Sequence, residues 1–521
     1  MNPNIIIETF KMKRGATSLL LVILFTSRIF GQDVLPRSTP EQQGVSSQAI
    51  INFLDSAAVD QNEFHSFMFI RHGKVIAEGW WNPYRADLKH TMYSCSKSFT
   101  ATAVGFAVNE NKLKVTDKVI SFFPDQRPDT VGAYLRDLTV RDLLTMSVGQ
   151  QPDPTPTLVS DTNWVRSFLQ RPITDKPGTK FLYNSMATYM LSAIVQKVTG
   201  EKVYDYLTPR LFRPLGIQGA DWETDNKDIN TGGWGLRVKT EDMAKFGQLF
   251  LQEGRWKRKR VLPKSWVKEA STVKIIQHPE YSQAKRDSSD WEQGYCYQMW
   301  RSKNNAYRGD GAFGQYILVM PDQDAVIAIT SETPNMQSIL DNVWHHLLPA
   351  MQKKRLKPNE ALVQQLKTQL NSLVLPIPGN NSTSDQIEQI SGKNYSIEEN
   401  DKKVRSISLA FKDEVCTLTM KNDTASYNIS FTPLKWLEGE TERPGPYLVG
   451  RAQNALKGLP PFKVAGEYNW RDDNKLELVL RYIESPHTET ITCQFEGNNV
   501  KVELKNSFSQ GQVTVLNGTA Q

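Results

Sequence analysis

Ser94-Cys95-Ser96-Lys97 sets a hydroxyl and an amine three residues apart at the start of an apolar stretch, KSFTATAVGFAV. On a helix, residues i and i+3 share a face with Cβ atoms roughly 5–6 Å apart, so the Lys97 amine can fold back onto the Ser94 hydroxyl. Such a pair is a serine nucleophile with an amine base, built without histidine. An ordinary lysine, with a pKa of ~10.4, is too fully protonated to act as a base at neutral pH, and apolar burial lowers that value. Phe99, Thr102/Ala103 and Phe106 recur at three- and four-residue spacing and mark a packed face that supplies this burial. A nucleophile in the first turn also meets free backbone N–H groups and the positive end of the helix dipole, which suits a developing oxyanion. The bare S-x-x-K pattern recurs at Ser265/Lys268, Ser271/Lys274 and Ser282/Lys285, each among many charges, so context selects the first copy. The third chemical part is a phenol: Tyr183, in the turn-rich KPGTKFLYNS ahead of a helix, is placed to hand a proton to a leaving group. Taken alone, a tyrosine there reads as a packing residue.

The elements that must position these groups divide the chain. Residues 36–353 read as mixed α/β, with strands from both ends of the domain forming one antiparallel sheet and helices inserted between them. SFMFIRHGKVIAEGW is a hairpin around HisGlyLys, and FGQYILVM with DAVIAIT is a second, joined by ProAspGln. GYCYQMW reads as a further strand. LTVRDLLTMS carries a threonine cap, SMATYMLSAIVQKVTG stops at Gly200, and KTEDMAKFGQLFLQEG runs from a Thr240 cap to Gly254. Residues 354–384 read as a linker, with a polar connecting helix over 358–374 and turn-rich LPIPGNNSTSDQ after it. From 385 to 521 the apolar period changes to two, as in Ile407/Leu409/Phe411, Cys416/Leu418/Met420, Leu476/Leu478/Leu480/Tyr482 and Val500/Val502/Leu504. This is an all-β module, a barrel or a sandwich.

The motifs in this order resemble those of the serine beta-lactamase and penicillin-binding protein superfamily, and more closely its class C-like branch with esterases and 6-aminohexanoate-dimer hydrolases. MYSCSKSFTA carries the first motif and Tyr183-Asn184-Ser185 the second. STPEQQGVSS, LTVRDLLTMSVG, GGWGLRVKTEDMAKFGQL and GAFGQYILVMPDQDAVIAITSE extend the similarity over about residues 36–350. The resemblance implies a sheet flanked by helices with a mostly helical subdomain, and an acyl-enzyme on Ser94 with Lys97 as base and Tyr183 as proton relay. It also implies a substrate-binding edge formed by Ser185, Gly309, Gly311 and Ala312. A backbone N–H near Gly311 or Ala312 would share the oxyanion with that of Ser94. The third motif departs from the family pattern: Ala306-Tyr307-Arg308-Gly309-Asp310-Gly311-Ala312-Phe313-Gly314-Gln315 offers no lysine or histidine, and Arg308 is the one cation in it. Ser185 stands where asparagine is common. Both departures point away from beta-lactams. His90, four residues before Ser94, reads as an edge residue, and no segment supplies a persuasive partner among the seven histidines.

Composition sets the remaining bounds. A chain of 521 residues, 39% hydrophobic with twelve tryptophans, is long enough for two or three globular domains. The net charge is +6, and half of it lies in residues 1–31, so no nucleic-acid or membrane-surface footprint is expected. Lys11, Lys13 and Arg14, then ATSLLLVILFT over Ala16–Thr26, then Gly31, read as a signal peptide over 1–31. Export follows as an expectation, to the periplasm or beyond, with no stable membrane insertion once the signal is cut. Four cysteines allow a Cys416–Cys493 bridge or two buried free thiols. No metal-ligand spacing, phosphate loop or internal repeat is visible, and no cofactor is expected. The leading function is an exported serine hydrolase acting on a small or peptide-like amide or ester. The alternative is a sensor that acylates without turnover, or a protein whose β module captures a ligand, with Trp436 and Trp470 as its candidate exposed aromatics.

Overall fold

The computed structural model describes residues 34–60, 62–450, 459 and 461–521. The expected signal peptide over 1–31 lies outside the described residues. Alternation at period two builds a six-stranded antiparallel sheet with both faces buried. Its strands are β1 (Glu63–Arg71), β2 (Lys74–Trp80), β3 (Trp300–Arg301), β4 (Tyr307–Gly311), β5 (Gln315–Met320) and β6 (Ala325–Glu332), in spatial order β2-β1-β6-β5-β4-β3. Strands from the two ends of the domain thus meet at β1 and β6, with Phe67 opposite Ile329. His72 and Gly73, both at positive φ, make the β1–β2 turn.

On one face Phe67, Phe69, Tyr316, Leu318, Ile327 and Ile329 pack with Ile50, Phe53 and Leu54 of helix α1 (Ser47–Val59). On the other, Met68, Ile70, Ile317, Val319, Val326 and Ala328 share a core with helices α2 (Ser96–Asn109), α3 (Ser185–Thr199) and α4 (Thr240–Leu251). Phe99 of α2 stacks on Phe246 of α4 with ring centroids 4.0 Å apart. The cap at the start of α4 differs from expectation by one residue. Lys239 holds the capping position, because the Thr240 hydroxyl is bonded to Ser66 Oγ at 2.7 Å.

GYCYQMW is not a strand; within it only Trp300 joins the sheet. Gly294 and Gln298 both take positive φ, and Gln298 turns inward as a plug. Its amide nitrogen donates to the carbonyls of Leu143 and Leu144, both at 3.0 Å, and its amide oxygen accepts from Thr188 at 2.6 Å.

The connecting helix spans Glu360–Asn371. Beyond it ten antiparallel strands run from Asn394–Ile397 to Thr514–Ala520, and the last returns beside the first. The two ends of that order, Ser426–Phe431 and Leu437–Thr441, are consecutive in the chain. A bridge from Thr432 to Glu467, with the Tyr468 N–H donating to Thr432 at 3.1 Å, closes the sheet into a barrel. Its interior holds the residues that the period-two pattern picks out. Cys416 and Cys493 both point into it as free thiols, and Cys95 and Cys296 are also buried and free.

Trp470 is buried in the barrel core and is no exposed platform. Trp436 is partly buried in the seam between barrel and sheet domain, where Arg481 lies over its ring. That seam is extensive. Tyr84, Leu88, Leu375, Ala465 and Ile483 form an apolar cluster across it, and Arg481 pairs with Glu63 at 2.6 Å. Among the described residues no helix is long and apolar enough to cross a membrane.

Candidate active site

Ser94 sits in a short 3₁₀ turn, Tyr93–Cys95, that runs directly into α2. The approach is held from below by a three-stranded sheet in which His90–Thr91 pairs with Leu236–Val238 and Asp221–Trp222 lies beyond. The Met92 N–H donates to the Leu236 carbonyl at 2.9 Å, and Ser96 Oγ accepts from the Leu236 N–H at 3.2 Å. These bonds draw the GlyGlyTrpGly turn, residues 232–235, up against α2, where Thr100 Oγ1 donates to the Gly232 carbonyl at 2.9 Å.

Lys97 is 1% exposed, and its Nζ has three oxygen neighbours: Ser94 Oγ and Ser185 Oγ at 3.0 Å each, and the Gly233 carbonyl at 2.7 Å. A neutral amine has two N–H donors and one lone pair. With those donors given to Gly233 and Ser185, the lone pair faces the Ser94 hydroxyl. Burial pushes the Lys97 pKa down to about 7, against weaker opposing pulls from Asp153, Cys95 and Asp310. The other three S-x-x-K copies lie at the surface, with their serines and lysines exposed or half-buried.

Tyr183 joins this group, just ahead of the Asn184 cap of α3. Asn184 Oδ1 accepts from the Ala187 N–H at 3.0 Å, so the asparagine of Tyr-Asn-Ser serves the helix while its neighbours face Lys97. Lys97 Nζ lies 4.9 Å from the centroid of the Tyr183 ring, which stacks on Trp300 at 5.7 Å. Burial pushes the Tyr183 phenol up, offset in part by the Ser94 side chain. It is a proton donor at neutral pH, not a phenolate.

The third motif divides. Gly311 ends β4 against the approach to Ser94: a Cβ built on it would lie 2.3 Å from the Met92 carbonyl oxygen, so only glycine fits. Ala312 follows at a half-buried turn, its carbonyl accepting from Gln315 Nε2 at 3.0 Å. Gly309 faces the buried side of α2, with Ser98 Oγ 3.3 Å and Cys95 Sγ 3.7 Å from an ideal Cβ, which is a packing position rather than a substrate edge. Arg308 is wholly buried on the opposite face of the sheet. It pairs with Asp310 at 2.8 Å and donates to Ser302 Oγ and to the carbonyls of Asp290 and Arg301, so it does not stand in for the missing lysine.

His90 is also buried, with its Nε2 3.0 Å from His65 Nδ1. Two contributors escape sequence reasoning. The Gly233 carbonyl orients Lys97 from 136 residues away; the glycine-rich turn signals a close approach but not its target. His487 reaches Tyr93 from the barrel, and no local pattern marks it.

Residues 64–348 match the family model Beta-lactamase, more than half of the chain, and the chain belongs to that family. It is 24% identical over 303 residues to the 6-aminohexanoate-dimer hydrolase of Paenarthrobacter ureafaciens, covering 54% of this chain and 75% of that protein. It is likewise 24% identical over 196 residues to Protein flp of Staphylococcus aureus strain N315, covering 34% of this chain and 39% of that one. A solved structure from Bacillus anthracis, described as a "putative 6-aminohexanoate-dimer hydrolase", aligns with a TM-score of 0.50 and 22% identity over 61% of this chain and 89% of its own. That likeness shows the fold.

Proposed function

We propose that this protein is a serine hydrolase that cleaves an amide or ester through an acyl-enzyme on Ser94. The observation that carries the reading is the Lys97 amine, buried, shifted to about 7 and aimed at Ser94 Oγ from 3.0 Å. Lys97 takes the Ser94 proton as Oγ attacks the substrate carbonyl carbon. The oxyanion is held by the backbone N–H of Ser94 and that of Gly311 or Ala312. Tyr183 gives its proton to the departing nitrogen or oxygen as the scissile bond breaks, and recovers one from Lys97. Water, deprotonated by the same pair, then attacks the acyl carbon and releases the acid and Ser94. The name of the Paenarthrobacter relative supports an amide, and the pairing of Arg308 with Asp310 supports a substrate without a carboxylate to be held at that strand. Export, to the periplasm or the medium, is part of the proposal and rests on residues 1–31.

The test is steady-state release of p-nitrophenol from p-nitrophenyl acetate and of p-nitroaniline from the matching anilide. Repeated turnover that is absent in Ser94→Ala supports the reading. A single burst without turnover would identify an acyl-trapping sensor instead, and equal rates in both proteins would place the chemistry elsewhere.

A further inference from the structure

We propose that the barrel completes the active site, with His487 as a positioning residue that fixes the Tyr93–Ser94 turn through the Tyr93 hydroxyl. The barrel strands Lys475–Tyr482 and Thr488–Glu496 are joined by a turn that grips the segment leading to the nucleophile. The Glu484 carbonyl accepts from the Thr91 N–H at 2.9 Å and from its hydroxyl at 3.1 Å, and the Ser485 carbonyl accepts from the Tyr84 hydroxyl at 2.9 Å. His487, wholly buried, ends the turn. Its Nε2 meets the Tyr93 hydroxyl, and its Nδ1 lies 2.7 Å from Glu332 Oε1 at the end of β6. One tautomer satisfies every partner: Nδ1–H donates to the Glu332 carboxylate, and the Nε2 lone pair accepts from Tyr93. The Tyr93 oxygen in turn accepts from the Leu448 N–H at 3.4 Å. Phe313 closes the group, its ring 5.7 Å from that of Tyr93 and 4.8 Å from His487.

Tyr93 has a φ of 43°, in the left-handed region that a Cβ disfavours and that persists only where its surroundings over-determine it. The next residue is Ser94. Holding the far end of a rigid, buried ring holds this turn, and with it the 3.0 Å approach of Ser94 Oγ to Lys97. A misplacement of about 1 Å at a nucleophile costs about 10²-fold in rate. The barrel supplies hydrogen-bonded grips on Thr91 and Tyr93 and the histidine that sets the turn.

The inference rests on Ser94 as the nucleophile, and the test separates the two. The second-order rate at which a small alkyl fluorophosphonate modifies full-length protein is followed by intact mass; the Ser94 Oγ–P bond forms, P–F breaks, and the proton passes to Lys97 as fluoride leaves. His487→Ala, His487→Asn and Tyr93→Phe are expected to react about 10²-fold more slowly than wild type. The double variant Tyr93→Phe/His487→Ala is expected to be no slower than either alone. His487→Gln places an amide oxygen near the Nε2 position, accepts from Tyr93 and keeps the rate within about tenfold of wild type. Arg85→Ala, which breaks the Arg85–Glu438 ion pair elsewhere on the same seam, is expected to leave the rate unchanged. Wild-type speed in His487→Ala, equal losses in Gln and Asn, or an equal loss in Arg85→Ala would each overturn the proposal. Where His487→Ala fails to fold, Tyr93→Phe decides, since it removes one oxygen and keeps the ring. No adduct on Ser94 in wild type would instead overturn the nucleophile assignment itself.

Discussion

A lysine that is to take a proton from a serine must arrive neutral, and at Lys97 burial supplies the neutrality while Gly233 and Ser185 supply the aim. At an ordinary lysine pKa only roughly three amines in ten thousand are neutral at pH 7; at about 7, half are. The base form grows with pH, so kcat/KM for ester hydrolysis is expected to rise on a limb with its midpoint at about 7. Lys97→Ala should lose about 10²–10⁴-fold. Lys97→Arg should not recover it, because a guanidinium keeps its proton. A pH profile of both variants beside wild type checks this. At this scale the sequence is legible where the partners are near in the chain, as Ser94 and Lys97 are. Tyr183 is visible only through its motif, since nothing in KFLYNS distinguishes a relay from a packing ring. Gly233 and His487 act through contacts that the tertiary fold creates, and neither has a local signature.

The elements that hold the site do so by close approach rather than by many contacts. A Cβ on Gly233 would stand 2.9 Å from the Ser185 carbonyl oxygen and 3.5 Å from Lys97 Nζ. Gly233→Ala must therefore push the 232–235 turn away from α3 and pull its carbonyl off the amine. The expected result is a loss of about 10²-fold in acylation with a melting temperature close to wild type, measured by stopped-flow and calorimetry. Helices with strong punctuation are readable in the sequence: the Thr139–Asp142 capping box starts its helix and the left-handed Gly200 stops another, as the residues predict. So are the two hairpins, whose turns carry His-Gly and Pro-Asp-Gln. GYCYQMW misleads because Tyr295, Cys296, Tyr297 and Met299 are buried in the helix-side core with no more than isolated bridges at Tyr295, and alternation alone does not separate that case from a strand. Arg308 depends on register instead. Its strand register turns it to the face away from Ser94, and a one-residue register difference is invisible without the sheet.

At the scale of the whole molecule, the seam between sheet domain and barrel carries titratable groups, and Glu223 is the one best placed to report on it. Burial pushes Glu223 up to about 7, while the Tyr447 hydroxyl, from the barrel side, donates to it at 2.5 Å. Its folded pKa lies above the ordinary 4.5. Its contribution to stability is thus fully present below about 4.5 and lost as pH rises through about 7. Wild type should lose melting temperature as pH rises from about 4.5 to about 7 and level off above that, and Glu223→Gln, neutral throughout, should lose less. The barrel's strands are legible from their period, whereas its closure and its docking beside Ser94 are not, because both depend on pairings far apart in the chain. Acyl transfer turns on one bond, that from Ser94 Oγ to the acyl carbon, and the mass of the intact protein reports it directly. After mixing with p-nitrophenyl acetate, wild type should gain one acetyl group, located on Ser94 by peptide mapping, and lose it again as product accumulates. Ser94→Ala should gain nothing. A lasting adduct would contradict turnover, and an adduct that forms as fast in Ser94→Ala would contradict the nucleophile.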